Sequence, residues 1–242
     1  MRVAVLSDIH ANLVALDAVL GAIGSVDAIW QLGDVVGYGP EPDAVVERLR
    51  TRGARGVRGN HDAAALGGPE IEWFNPDARA AIEWTRDRIG PATRQWLGEL
   101  PETMTEAGHL LVHGSPRDPI WEYVTNSAVA RANLAALGND TTIGLHGHTH
   151  VPIAFREDDG RIEVISPGDG STLRLDRRRV LLNPGSVGQP RDGQPAASWL
   201  EIDTDRRAVT WHRVPYDVAG VQAAVRSAGL PSRLAERLAF GL

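Results

Sequence analysis

The sequence contains no cysteine and no lysine. The first absence excludes disulfides and any thiolate metal site, and it fits a reducing compartment, so a cytoplasmic location is the expectation. The second makes every basic side chain an arginine. We read it as codon bias, compatible with heat adaptation, and it carries little functional information. Long apolar runs are also missing. The opening stretch MRVAVLSDIH turns polar too early for a signal peptide, and no later segment approaches a membrane span. Nor is there an excess of positive charge. A net charge of −6 and a pI of about 5.7 argue against a general affinity for nucleic acid, though not against a local basic patch. What remains is an ordinary globular balance. At 242 residues, 43 % hydrophobic and 23 % charged, the chain can build a core and lies within range of a single domain spanning 1–242.

The order of elements points to an α/β fold. RVAVLSD reads as a buried strand, Asn12 as the N-cap of a helix carrying Leu13, Leu16, Leu20 and Ile23, and Gly24 as its stop. DAIWQLGD is a second strand, Pro42 opens a second helix, and ARGVRGNHD is a short third strand. This alternation implies parallel strands. Residues 66–100 differ: NPDARAAIEWTRDRIG and TRQWLGEL read as a helical insertion, suited to capping a site or to contact between identical copies. HLLVHGS is a further strand, SAVARANLAALG a helix capped by Ser127 and stopped by Gly138, and TTIGLHGH the next strand. From Pro152 on, six short strands look antiparallel, and a helical tail follows Tyr216.

The polar signals share one position, just after an apolar strand. Asp8 and His10 follow the first strand, Asp34 the second, Asn60 and His61 the third, His113 the next, and His148 and His150 the last of this group. In open α/β sheets ligands bind at the carboxyl ends of strands. Taken singly, each signal reads equally well as a turn or a helix cap. Together they are a suitable inventory for a pair of divalent ions. Imidazole suits Zn, Fe, Mn or Ni, carboxylate and amide oxygens suit Mn and Mg, and a carboxylate can bridge two ions. His109 and His212 lie outside the strand ends and receive no role.

In this order, SDIH, LGD, RGNHD, VHGS and GHTH resemble the signature of the calcineurin-like metallophosphoesterases, and NPGSVGQPRDG resembles a later segment of their small bacterial and archaeal members. The resemblance implies a four-layer α/β/β/α sandwich with a dinuclear metal site. Carried over by motif position, Asp8, His10 and His150 would bind one metal, Asn60, His113 and His148 the other, and Asp34 would bridge them. Metals about 3.5–4 Å apart clamp a phosphate and yield a bridging hydroxide for in-line attack. His61 would protonate the leaving oxygen as general acid, a task suited to a near-neutral pKa. Mn is the assay metal of choice, with Zn, Fe or Ni open. Asp62 either orients a neighbour or closes a turn. His146 has no place in the motif and is a neighbour of a ligand or a packing residue.

The chain also departs from the superfamily's protein phosphatases. Where they read Gly-Asp-x-Val-Asp-Arg-Gly, this sequence has GDVVGYG, placing Gly37 at the Asp and Tyr38 at the phosphate-gripping Arg. A guanidinium reads a phosphate dianion bidentately and Tyr cannot, so a diester monoanion is the more natural substrate. Arg58 either contacts phosphate or packs at the surface. Tyr38, Trp73, Phe74, Trp121 and Tyr123 either line a pocket for a base or aryl group or belong to the core. Phosphodiester hydrolysis on small or nucleotide-like substrates is the leading expectation. Phosphomonoester or nucleoside polyphosphate hydrolysis comes second, and a non-catalytic scaffold, as in the retromer subunit of this fold, third.

Overall fold

The computed structural model describes residues 1–138 and 141–242, leaving aside the side chains of Pro69 and Glu70. Along the chain, β1 (Arg2–Leu6), α1 (Leu13–Ile23), β2 (Ala28–Gln31), α2 (Pro42–Thr51) and the two-residue β3 (Arg55–Gly56) alternate as expected. They are followed by α3 (Asn60–Ala65), a 3-10 turn at Pro69–Trp73, α4 (Pro76–Arg88) and α5 (Pro91–Glu99). Next come β4 (Thr103–Glu106), β5 (His109–Val112), α6 (Ser127–Ala136), β6 (Ile143–Leu145), β7 (Ile153–Asp158) and β8 (Arg161–Ile165). The chain ends with β9 (Thr172–Arg174), β10 (Val180–Asn183), β11 (Ala197–Asp203), β12 (Ala208–Val214), α7 (Val218–Ser227) and α8 (Ser232–Glu236).

The strands form two six-stranded sheets, β3-β2-β1-β11-β12-β9 and β4-β5-β6-β10-β7-β8. In β1 the pleat sends Val3 and Val5 to one face and Ala4 and Leu6 to the other, and both faces are buried. Val3 and Val5 join Trp30, Leu111, Leu145 and Leu182 between the sheets. Ala4 and Leu6 pack against Leu16, Val19, Val45 and Leu49 of α1 and α2. On the far side of the second sheet, Phe155 and Leu181 cover Ala130 and Leu134 of α6. Helix, sheet, sheet and helix thus give the four-layer α/β/β/α sandwich expected.

The strands after Pro152 pair antiparallel among themselves, as expected, but they divide between the two sheets. β7, β8 and β10 join the second sheet and β9, β11 and β12 the first, and β10 runs parallel to β6. Three local readings change. The cap of α6 is Asn126, whose side chain accepts from the Ala128 and Val129 amides; Ser127 is the first helical residue. RGNHD does not end as a strand, because α3 starts at Asn60. The strand expected through His148 ends at Leu145, so the histidines beyond it lie in loop.

Helix α4 and the C-terminal tail form a lobe together, whereas α5 packs on α2 in the main core. Ala78 and Ala81 of α4 pack with Val221, Val225, Leu234 and Leu238, and Tyr38 joins this cluster. Trp84 Nε1 donates to the Ala228 carbonyl at 2.9 Å. The lobe stands beside the carboxyl ends of β1 and β2, where the chemistry collects.

Candidate metal centre

The loops after the strands hold their polar residues in an uncommon backbone state. Asp8, His10, Asp34, His148 and His150 all have positive φ, between 50° and 64°. Asp and His tolerate this region better than most residues, yet each such residue stores strain of about 1–3 kcal/mol. Backbone bonds between the loops hold them there. Asp8 N donates to Gly33 O at 3.1 Å, His10 N to Asp34 O at 2.9 Å and Gly147 N to His113 O at 2.9 Å. Close approach matters as well: a Cβ on Gly59 would collide with the Asp34 carboxylate and backbone.

The side chains so placed form two groups that share one residue. Ligand atoms of Asp8, His10, Asp34 and His150 lie within 4.8 Å of one another, as do those of Asp34, His113 and His148. All are buried. His113 Nε2 is 3.4 Å from Asp34 Oδ2, and His10 Nε2 is 3.7 Å from the same oxygen. Asn60 Oδ1 lies 2.9 Å from His113 Nε2, which brings Asn60 into the second group.

The donor set fits cations. The Nδ1 atoms of His10, His113 and His150 face the Val36, Leu32 and Gln189 carbonyls at 3.2, 2.9 and 2.6 Å. A carbonyl only accepts, so each Nδ1 carries a proton and each Nε2 is the atom aimed inward. The His10 and His150 Nε2 atoms then face each other at 3.2 Å, which a positive ion between them resolves. Asp8 Oδ2 accepts from Ser7 Oγ and His148 N, whereas its buried Oδ1 makes no hydrogen bond. Asn60 turns its oxygen towards Asp34 and His113, although hydrogen bonding alone would favour its NH2 there.

The electrostatics point the same way. Burial alone would raise the Asp34 carboxyl, but His113, His61 and His10 hold it well below the usual range. Burial opposes a charged His113, yet Asp34 and Asp8 push that imidazole up to about 9. Asp8 rises to about 7, chiefly through burial. Positive charge is drawn into the middle of the cluster.

His61 lies beside this cluster and outside both groups. Its ring packs against Tyr38, His10 and Phe74 at centroid distances of 4.4, 4.8 and 4.9 Å, and its Nδ1 has no hydrogen bond. Gly37, at φ 89°, makes room for it, since a Cβ there would lie 2.5 Å from Nδ1. Burial lowers the ring to about 4, away from the near-neutral value expected for it. Asp62 accepts from Val36 N at 3.0 Å and Gly59 N at 2.9 Å, clamping the loop after β2 to the start of α3. It therefore positions both Asp34 and Asn60. Asp62→Ala would leave two buried amides unpaired at about 1–3 kcal/mol each, offset in part by relief of the buried carboxylate. We expect a net loss of about 2–4 kcal/mol in urea denaturation, and an unchanged midpoint would contradict the clamp.

A cavity of about 270 Å³ opens over the cluster, lined by Asp34, Asn60, His61, His148 and His150 together with aromatic and basic side chains. Tyr38, Trp73, Phe74, Trp121 and Tyr123 all line it. Tyr123 stacks on His148 at 3.8 Å, and Trp121 meets Trp73 edge-on at 4.9 Å. Because Trp73 and Phe74 belong to the insertion, the insertion flanks the site. Arg58 instead turns to Glu102, at 3.5 Å, and is not among the residues lining the cavity. His146 is buried beside Asn183, with Nδ1 3.3 Å from the Asn183 amide nitrogen, outside both groups. His109 bonds Ala107 O and His212 stacks on Trp199, both away from the cluster. Arg191 and Arg237 also line the cavity, and sequence reasoning gave them no role. The only local signal for Arg191 was its place in NPGSVGQPRDG, where Gln189 O fixes His150.

This fold and donor set are those of a metallophosphoesterase. A model of the calcineurin-like phosphoesterase superfamily domain matches residues 1–206, and the chain belongs to that superfamily. It is 35 % identical, over 99 % of its length and 98 % of the relative's, to the uncharacterized protein MJ0912 of Methanocaldococcus jannaschii. It is 29 % identical, over 85 % of its length and 89 % of the relative's, to phosphodiesterase YfcE of Escherichia coli K12. Among solved structures, a metallophosphoesterase from Sphaerobacter thermophilus matches with a TM-score of 0.92 and 46 % identity, covering 100 % of this chain and 99 % of that one. Hydrolysis of phosphate esters is the reaction class this family supports. No helix among the described residues is long and apolar enough to cross a membrane.

Proposed function

We propose that the protein is a metal-dependent phosphodiesterase acting on small or nucleotide-like diesters. The observation that carries this reading is the pair of buried ligand groups sharing Asp34 at the floor of a two-sided cavity. Asp8, His10 and His150 would hold one divalent ion, Asn60, His113 and His148 a second, and Asp34 would bridge them. Mn is the assay metal, and the nitrogen-rich donors also suit Zn, Fe or Ni. When bound, two such ions polarise the phosphoryl oxygens and activate the attacking water.

The chain's own residues would do the rest. His61, held in the cage of Tyr38, Phe74 and His10, would give its proton to the leaving oxygen. Its ring is neutral when free, and a bound anionic ester favours the protonated form. Tyr38 alone no longer argues for a diester, because Arg191 brings a guanidinium to within 3.4 Å of its hydroxyl. The diester reading rests instead on room for a substituent on each side of the phosphorus. Tyr123 stacks on His148, Trp121 and Trp73 continue the aromatic wall beside Phe74, and Tyr38 stands by His10 and Arg191 by His150. The relation to phosphodiesterase YfcE supports the same choice.

The test compares bis-p-nitrophenyl phosphate with p-nitrophenyl phosphate on Mn-loaded protein. We expect a higher kcat/KM for the diester, and a clear preference for the monoester would replace this reading with that of a phosphatase. The aromatic wall predicts more. Stacking on an aromatic side chain contributes about 1–3 kcal/mol for a base, and we take the same range for the p-nitrophenyl ring. Trp121→Ala should therefore raise KM for thymidine 5′-(p-nitrophenyl phosphate) by about 5- to 150-fold. Trp73→Ala, at a side chain 69 % exposed, should lie at the low end of that range. An unchanged KM in both variants would remove the wall from substrate binding.

A further inference from the structure

Past Tyr38 the cavity adjoins a second one of about 610 Å³, and the two share Tyr38, Asn75 and Arg237 in their walls. The second lies where the start of α4 meets the tail, and it adds Arg233, Asp77 and Leu242. Three guanidiniums therefore border the two adjoining cavities: Arg191 at the metal cluster, Arg237 shared by both and Arg233 in the second. None of the ion pairs formed among the described residues involves any of them.

Arg191 and Arg237 are each held in place by hydrogen bonds. Arg191 donates to Gln189 Oε1 at 3.0 Å and to the Tyr38 hydroxyl at 3.4 Å, and its guanidinium carbon lies 5.8 Å from the Tyr38 ring. Its backbone N donates to His150 O at 3.3 Å, and its buried Nε has no partner. Arg237 Nε donates to the main-chain oxygen of Leu242, the last residue of the structure, which offsets part of its charge. Burial, and then Arg191, lower the Arg237 guanidinium, with Arg233 adding to that repulsion against Tyr38 and Asp77. Among the described residues Asp77 is the one side-chain carboxylate lining the second cavity. Like charges gathered at a half-buried wall with so little compensation are stabilised by an anion from outside.

We propose that Arg191, backed by Arg237 and Arg233, is a subsite for a second phosphate group of the substrate, so that the preferred diester is one carrying a further phosphate beyond the scissile one. This deepens the phosphodiesterase reading and rests on it for the position of the scissile phosphorus. A phosphate dianion suits the wall better than a carboxylate, because its oxygens can take a bidentate guanidinium and still meet a second one. The wall therefore reads charge on a nucleoside that lies towards Tyr38 and the arginines, with the p-nitrophenyl group of a mixed ester towards Trp121 and Tyr123.

Two esters isolate the effect: thymidine 5′-(p-nitrophenyl phosphate) and the same ester bearing a 3′-phosphate. The Mn-loaded wild type should favour the second by at least tenfold in kcat/KM. Arg191→Met, which keeps the stem and removes the charge, should cut that preference at least tenfold, and Arg237→Met, further from His150, should cut it in part. Absence of the preference, or a preference untouched by both variants, overturns the subsite. Should the wild type hydrolyse neither ester, the phosphodiesterase reading fails, and calorimetry then decides on the subsite. Thymidine 3′,5′-bisphosphate should bind at least tenfold more tightly than thymidine 5′-phosphate, by a margin that shrinks in Arg191→Met. Equal binding of the two nucleotides overturns the subsite without reference to turnover.

Discussion

His61→Ala is expected to lower turnover of a dinucleotide diester by about 10²–10⁴, the usual range for a lost general acid. The ring has no structural hydrogen bond to lose at Nδ1, and Gly37 leaves it space on that side. Its contacts are aromatic faces that orient it over the cavity. The loss should depend on the leaving group. An alkoxide needs a proton as it departs, whereas p-nitrophenolate leaves without one. The variant should therefore lose much less activity on bis-p-nitrophenyl phosphate than on the dinucleotide. Kinetics of both esters, with metal content measured alongside, check this. Equal losses on the two esters would make His61 a packing residue of the site and remove it from proton transfer.

Asp34→Ala should have the larger effect. Asp34 is common to both ligand groups, so its removal leaves Asp8, His10 and His150 on one side and His113, His148 and Asn60 on the other, with nothing joining them. It also removes the charge that holds His113 up to about 9. The Asp34 backbone carbonyl still accepts from His10 N, so the loop keeps part of its anchoring. We expect metal content to fall well below that of the wild type in mass spectrometry, and diester turnover to fall by more than the His61 variant loses, beyond about 10⁴. Wild-type metal content in the variant would show that the two groups do not share this carboxylate.

Much of the architecture and of the candidate site was legible because the same physics writes both. A strand buried on two faces reads as a short apolar run, and the polar residue that ends it marks the sheet's carboxyl edge. Asp8, His10, Asp34, Asn60, His113, His148 and His150 are therefore placed on one edge by the sequence alone. The limits are equally physical. β4, TMTE, is a polar strand at a sheet edge with two exposed residues, so it carries no apolar signal. The start of α3 at Asn60 was hidden because Gly59-Asn60 reads equally as a turn. The partition of the late strands between two sheets depends on partners far away in sequence: β11 pairs with β1 and β10 with β6. Arg191 meets Tyr38 across a separation of 153 residues, and Arg237 reaches the same cavity from the tail. No local pattern could announce those meetings. The low pKa of His61 was missed for a similar reason, since it follows from burial among rings contributed by three loops.

The central claim is that turnover depends on cations held between these two ligand groups. Its most direct test is hydrolysis of bis-p-nitrophenyl phosphate by chelator-stripped protein as Mn is added back. The account predicts negligible turnover at the start, then a rise that saturates near about two equivalents per chain, as a two-ion site requires. Full turnover in the stripped protein, or none at any level of Mn, Zn, Fe or Ni, would contradict it.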